Sequence, residues 1–161
     1  MVRLSDEQVR ECVGLKARYV APDPIGAAAF RYFAQAIGDA NPVYLDTVIA
    51  RELGHDSVIA PPTLVCETNQ YTGRDPDENG YSGHAWPLEL QGATWIRGGN
   101  EYRFGRPLRP DDQLSVEWSL VEAANKTGRD GTEMVMIVSE AIYRNQVGDF
   151  LAWNRETMFY T

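Results

Sequence analysis

Gly38-Asp39-Ala40-Asn41-Pro42-Val43-Tyr44 follows a run of small and apolar residues and puts a carboxylate on a turn that carries Asn-Pro. Proline sets its own φ and pushes the preceding residue out of the helical region, so such a turn holds its side chains in a defined arrangement. Immediately upstream, Ile25, Ala28, Ala29, Tyr32, Phe33, Ala36 and Ile37 recur at helical spacing, with Arg31 and Gln35 on the other face. Asp23 stands where an N-cap belongs, Pro24 suits the first helical position, and Gly38 suits the end. The pattern predicts a helix over 24–37 that delivers Asp39 to its turn.

Outward from that helix, Ser5, Asp6 and Glu7 open a short amphipathic helix over 5–12, and residues 46–53 read as a further helical turn before Gly54. A third helix is predicted to open at Pro61-Pro62-Thr63 and run through Leu64, Val65, Glu67, Thr68 and Tyr71. Residues 73–92 are rich in Gly, Pro, Asp, Asn and Ser and read as a long ordered loop. From 93 onward the texture is strand. Leu114, Val116, Trp118 and Leu120 alternate with Gln113, Ser115, Glu117 and Ser119, while 133–143 is apolar on both faces, as a central strand would be. Strands are expected over 94–104, 113–123, 133–143 and 149–160, with turns at 107–112, 125–131 and 145–148. Helices first and an antiparallel meander after describe an α+β domain in which a sheet wraps a helix.

The motif at 38–44 resembles that of the MaoC-like dehydratases and R-specific enoyl-CoA hydratases, Gly-Asp-x-Asn-Pro-aliphatic-His. Gly38, Asp39, Asn41, Pro42 and Val43 match, and Tyr44 stands in the histidine position. The resemblance extends over about 19–160. It is supported by Val58-Ile59-Ala60-Pro61-Pro62-Thr63 and by Phe104-Gly105-Arg106-Pro107-Leu108-Arg109-Pro110-Asp111-Asp112-Gln113-Leu114. The third segment is similar to the family's Pro-x-x-x-Gly-Asp-x-Leu turn, with Asp111 in the glycine slot. The resemblance implies a single hot-dog domain over 1–161, a curled antiparallel sheet around a long central helix.

Hydrating an enoyl thioester requires a base for water, an acid for Cα and donors for the developing enolate oxygen. The resemblance makes Asp39 the water-orienting carboxylate and Asn41 the brace of its loop; both residues also suit a plain turn role. Tyr44 is a poor base, because a phenol titrates near 10, so it either donates to water or packs as an aromatic lid. The family opens its central helix with His-Gly, whose glycine N–H serves the thioester oxygen. Pro61-Pro62 stands there, and proline has no N–H; a one-residue offset would give that role to Thr63. Glu67 offers an alternative, since some hot-dog thioesterases carry a carboxylate on the central helix; it equally suits a subunit contact or solvent. Arg97, Arg103, Arg106 and Arg109 either hold the phosphates of coenzyme A or act as strand-edge charges. His55 and His84 could replace the lost base only if the fold brought them to Asp39.

Composition narrows the partners. A chain of 161 residues fits one domain with a real core, and a net charge of −8 argues against nucleic acid. Neither a membrane span nor a signal peptide is expected, and Cys12 and Cys66 fit reduced thiols of a cytoplasmic protein. No Cys/His spacing suggests a metal, and no cofactor is expected beyond the coenzyme A or acyl-carrier thioester of the substrate. The expected partner is a second hot-dog subunit, as a homodimer or a heterodimer. Loss of the histidine and of the glycine donor resembles the non-catalytic halves of heterodimeric hydratases. A self-sufficient homodimeric hydratase, and a thioesterase or acyl-CoA binder, are the alternatives.

Overall fold

A computed structural model describes residues 2–67, 71–73, 75–76, 82–88, 90 and 92–161. Its elements are helix α1 (Asp6–Cys12), strand β1 (Lys16–Val20), helices α2 (Gly26–Ala36) and α3 (Thr47–Glu52), and strands β2 (Trp95–Phe104), β3 (Ser115–Thr127), β4 (Glu133–Arg144) and β5 (Phe150–Tyr160). The strands form one antiparallel sheet in the order β1-β3-β4-β5-β2. Register breaks between Leu120 and Glu122, Tyr143 and Arg144, and Arg97 and Gly99 bend it into a hollow. The inner face carries Val116, Trp118 and Leu120 from β3, Val135, Ile137, Ala141 and Tyr143 from β4, and Ala152 and Asn154 from β5, all buried. Phe30 of α2 and Leu64, Val65 and Tyr71 close one end of this core. Leu4 and Cys12, at the start and end of the α1 segment, close the other against Leu120, Val135 and Ile137.

The two short helices start as their caps dictate. Ser5 and Gln8 form a reciprocal capping box, and Asp46 Oδ1 accepts from the N–H groups of Val48 and Ile49. The helix expected from Pro24 begins two residues later. Neither Asp23 nor Pro24 belongs to it. Instead the N–H groups of Ile25 and Gly26 donate to the carbonyls of Asp112 and Pro110, so a distant turn caps this helix. β1 has no counterpart among the expected strands; it is short and pairs only along the outer edge of β3.

The segment after Pro61 departs most from expectation. It is a 3-10 turn, Pro62–Cys66, and Glu67 is already extended at φ −71°, ψ 114°. Two successive prolines remove two N–H donors, and the turn closes with Glu67 N–H on the Leu64 carbonyl at 3.1 Å. The helix expected to run on through Glu67 therefore stops before it. Side chains fill part of that space: Tyr71 lies edge-on to Tyr143, and Trp118 Nε1 donates to the Tyr71 hydroxyl. The described residues between 71 and 94 form neither helix nor strand, and Thr68 lies outside the described residues.

Candidate active site

Helix α2 ends in a tight reversal that places the Asp39 loop. Gly38 takes φ +71°, and the Asp39 N–H reaches back to the Ala34 carbonyl at 2.9 Å. Asp39 Oδ1 accepts the Asn41 N–H at 3.0 Å, and Asn41 Oδ1 accepts the Val43 N–H at 3.2 Å, capping the 3-10 turn Pro42–Tyr44. Both polar side chains therefore hold the loop's own backbone. Val43 is buried and anchors the loop, with its carbonyl accepting from Ile59 N–H. This arrangement turns Tyr44 toward the irregular segment that leads to Pro61.

Tyr44 and Pro62 meet there. With Ile59, Val65, Phe104 and Leu151 they line a mostly apolar pocket of about 160 Å³. Burial, and then the neighbouring Asp39 carboxylate, push the Tyr44 phenol above its usual range. At neutral pH it therefore keeps its proton, and can donate a hydrogen bond but not accept a proton from water. Pro62 is the first residue of its turn and offers no N–H, while Thr63 is exposed and outside the pocket lining. Glu67 is exposed on extended backbone rather than set in a buried helix. Neither histidine lines this pocket. His84 stacks on Trp118 and shares a hydrogen bond with the Tyr19 hydroxyl at 2.9 Å, whereas His55 lies near Asp56 and Arg109.

The four arginines are dispersed rather than gathered. Arg97 pairs with Glu156 at 3.3 Å on the inner face. Arg103 pairs with Glu101 and lies over the Trp153 ring. Arg109 meets Asp56 at 3.2 Å. Arg106 is committed most firmly: it holds both oxygens of Asp112 at 2.7 and 2.8 Å and Asp149 at 2.9 Å. Asp112 also accepts from Arg109 N–H and Asn145 Nδ2, so the family-like turn over 104–114 is knitted by this buried carboxylate.

A second opening, about 230 Å³, lies further along the inner face between Trp86, Trp95, Arg97, Ile137, Ser139 and Glu156. Trp86 Nε1 donates to Ser139 Oγ at 2.8 Å. Burial pushes the Glu156 carboxyl up although Arg97 lies beside it. Near the turn at 62–66, burial and the adjacent Glu67 raise the Cys66 thiol to about 12. Of these groups Arg97, Cys66 and Glu67 stand out in the sequence, while Trp86, Ser139 and Glu156 do not. Ser139 and Tyr143 sit in a run that looks apolar throughout, and only their alternate positions in 133–143 hint at one shared face.

A family described as "FAS1-like, dehydratase domain region" matches residues 12–152. With the Gly-Asp-x-Asn-Pro loop seated on this sheet, that match decides the assignment. The chain belongs to the MaoC-like hot-dog dehydratases. It is 34% identical over 122 residues to a UPF0336 protein of Streptomyces coelicolor, covering 73% of this chain and 75% of that one. It is 29% identical over 142 residues to a probable enoyl-CoA hydratase alpha subunit of Thermomonospora curvata, covering 83% of this chain but 44% of the longer protein. The ChsH1-ChsH2 complex of Mycobacterium tuberculosis contains a chain of the same hot-dog fold. Its TM-score is 0.72 at 22% identity, covering 95% of this chain and 88% of that one. In this MaoC-like chain the family's loop survives intact up to Val43, and two of the positions that differ, Tyr44 and Pro62, face one pocket.

Proposed function

We propose that this chain is the acyl-binding, weakly or non-catalytic subunit of a hetero-oligomeric enoyl-thioester hydratase or 3-hydroxyacyl dehydratase. A second hot-dog subunit supplies the Asp/His pair. One observation carries the reading: around a single pocket, a phenol held protonated replaces the base and a proline replaces the N–H donor. Either loss alone would slow water addition; together they leave no base among the described residues that line the pocket and no backbone donor at Pro62 for the thioester oxygen. Asp39 adds support, because its Oδ1 is engaged in the loop. By analogy with hetero-oligomeric relatives of the fold, the acyl group is a long chain or a steroid side chain. The thioester is carried by coenzyme A or an acyl-carrier protein, and the named hetero-oligomeric and alpha-subunit relatives favour a second subunit over a homodimer.

The test is an assay of the purified chain with crotonyl-CoA and a longer enoyl-CoA, alone and with the product of a neighbouring hot-dog gene. Activity is expected only with the partner, and Asp39→Ala in this chain is expected to change that activity less than twofold. Robust hydration by the isolated chain, lost in Asp39→Ala, would overturn the proposal in favour of a self-sufficient enzyme. Thiol release dependent on Glu67 would point instead to a thioesterase.

A further inference from the structure

Cross-strand pairs lead along the inner face from the Tyr44 pocket to the opening beside Glu156. Phe104 pairs with Ala152, Tyr102 with Asn154, Asn100 with Glu156, and Arg97 with Met158. Phe104 lines the first pocket, and Arg97, Glu156 and Met158 line the second. Successive same-face pairs are about 7 Å apart, so Asn154 and Asn100 lie between the two openings. A plain alkyl chain would be served best by aliphatic residues there, yet two successive steps present carboxamides.

These amides are unusual in what they lack. Asn154 is 4% exposed, and its Oδ1 is buried without a hydrogen-bond partner. Asn100 Oδ1, one step along, is likewise buried and unpartnered. Leaving such an acceptor unmet costs free energy that Leu in the same place would not. Asn154 pairs on β4 with Ala141, a small buried residue that brings no polar side-chain partner to the amide.

We propose that the hollow binds acyl groups bearing a hydroxyl remote from the thioester, received by Asn154 with Asn100 beside it. A hydroxyl both donates and accepts, so it satisfies a carboxamide whichever way the amide is turned; a hydrocarbon satisfies neither atom. The inference rests on the acyl-binding reading above and narrows its substrate class to oxygenated chains.

The experiment measures binding of decanoyl-, dodecanoyl- and tetradecanoyl-CoA, each against its ω-hydroxy derivative, to the full-length chain by calorimetry. At one chain length the hydroxylated ligand is expected to bind about tenfold more tightly, the worth of one buried hydrogen bond. In Asn154→Leu that preference is expected to vanish, while the plain ligands bind at least as well, which also shows that the variant is folded. Equal binding of each pair, or a preference that persists in Asn154→Leu, would overturn the inference and leave the acyl-binding reading intact. Failure of every acyl-CoA to bind, alone or with the partner subunit, would overturn that reading itself.

Discussion

Asp112 shows how one residue sets the stability of the site. Burial by itself would raise its carboxyl, but hydrogen bonds from Arg106, the Arg109 N–H and Asn145 outweigh burial and hold it below the ordinary range. A carboxylate whose folded pKa is depressed contributes stability that is fully present above its unfolded value, about 3.9 for Asp. That contribution fades as pH falls through the lower folded value. Asp112→Asn is therefore expected to lower stability at neutral pH by about 3 kcal/mol, the low end for breaking a buried pair, since Arg106 is only partly buried. The variant should also show a flatter loss of stability on the acid side than the parent, read from urea melts between neutral pH and pH ~3. Of this network, the sequence displayed the turn residues but not their partners, because Asn145 and Asp149 come from another hairpin. Asp39 and Tyr44 contrast with it: seven contiguous residues carry that motif, so its presence was readable and only its pocket was not.

At the level of elements, β2 and β5 approach so closely at Gly105 that no side chain fits. A Cβ there would lie 2.3 Å from the Phe150 carbonyl oxygen and 2.6 Å from its ring. The obstacle is backbone, which cannot rotate away. Gly105→Ala is expected to part the end of this strand pair and lower Tm by several degrees, with early amide exchange confined to 102–105 and 150–153. Strands β2 to β5 were legible from alternation or apolar runs and from the turns between them, at 107–112, 125–131 and 145–148, whereas the short β1 was not. Helix α2 was legible in its body but not its start, because a helix N-terminus capped by carbonyls of residues 110 and 112 leaves no local mark. The segment after Pro61 was misread for a related reason: its apolar spacing suits a helix, yet two successive prolines leave a 3-10 turn that has ended by Glu67.

At the scale of the molecule, β2 is the last strand of the sheet among the described residues, ten residues long with Ile96 and Phe104 exposed on it. A terminal strand of that length with apolar side chains invites another strand. The chain is expected to sediment as a dimer or larger at micromolar concentration, and Ile96→Lys, which places a charge on the edge, is expected to shift it toward monomer. Monomer sedimentation of the parent chain would contradict this. No helix among the described residues is long and apolar enough to cross a membrane.

The sequence by itself determined the family, the α+β class and the exchange of His for Tyr44, because each is written in contiguous residues or in a period of 2.0 or 3.6. Only the tertiary structure decided that Tyr44 and Pro62 share one pocket, that Arg106 serves a buried carboxylate, and that Asn100 and Asn154 stand in one row. Those facts depend on strand register and on partners distant in the chain. A shift of one residue turns a side chain to the other face of a sheet, and nothing local to a residue records which register its neighbours take.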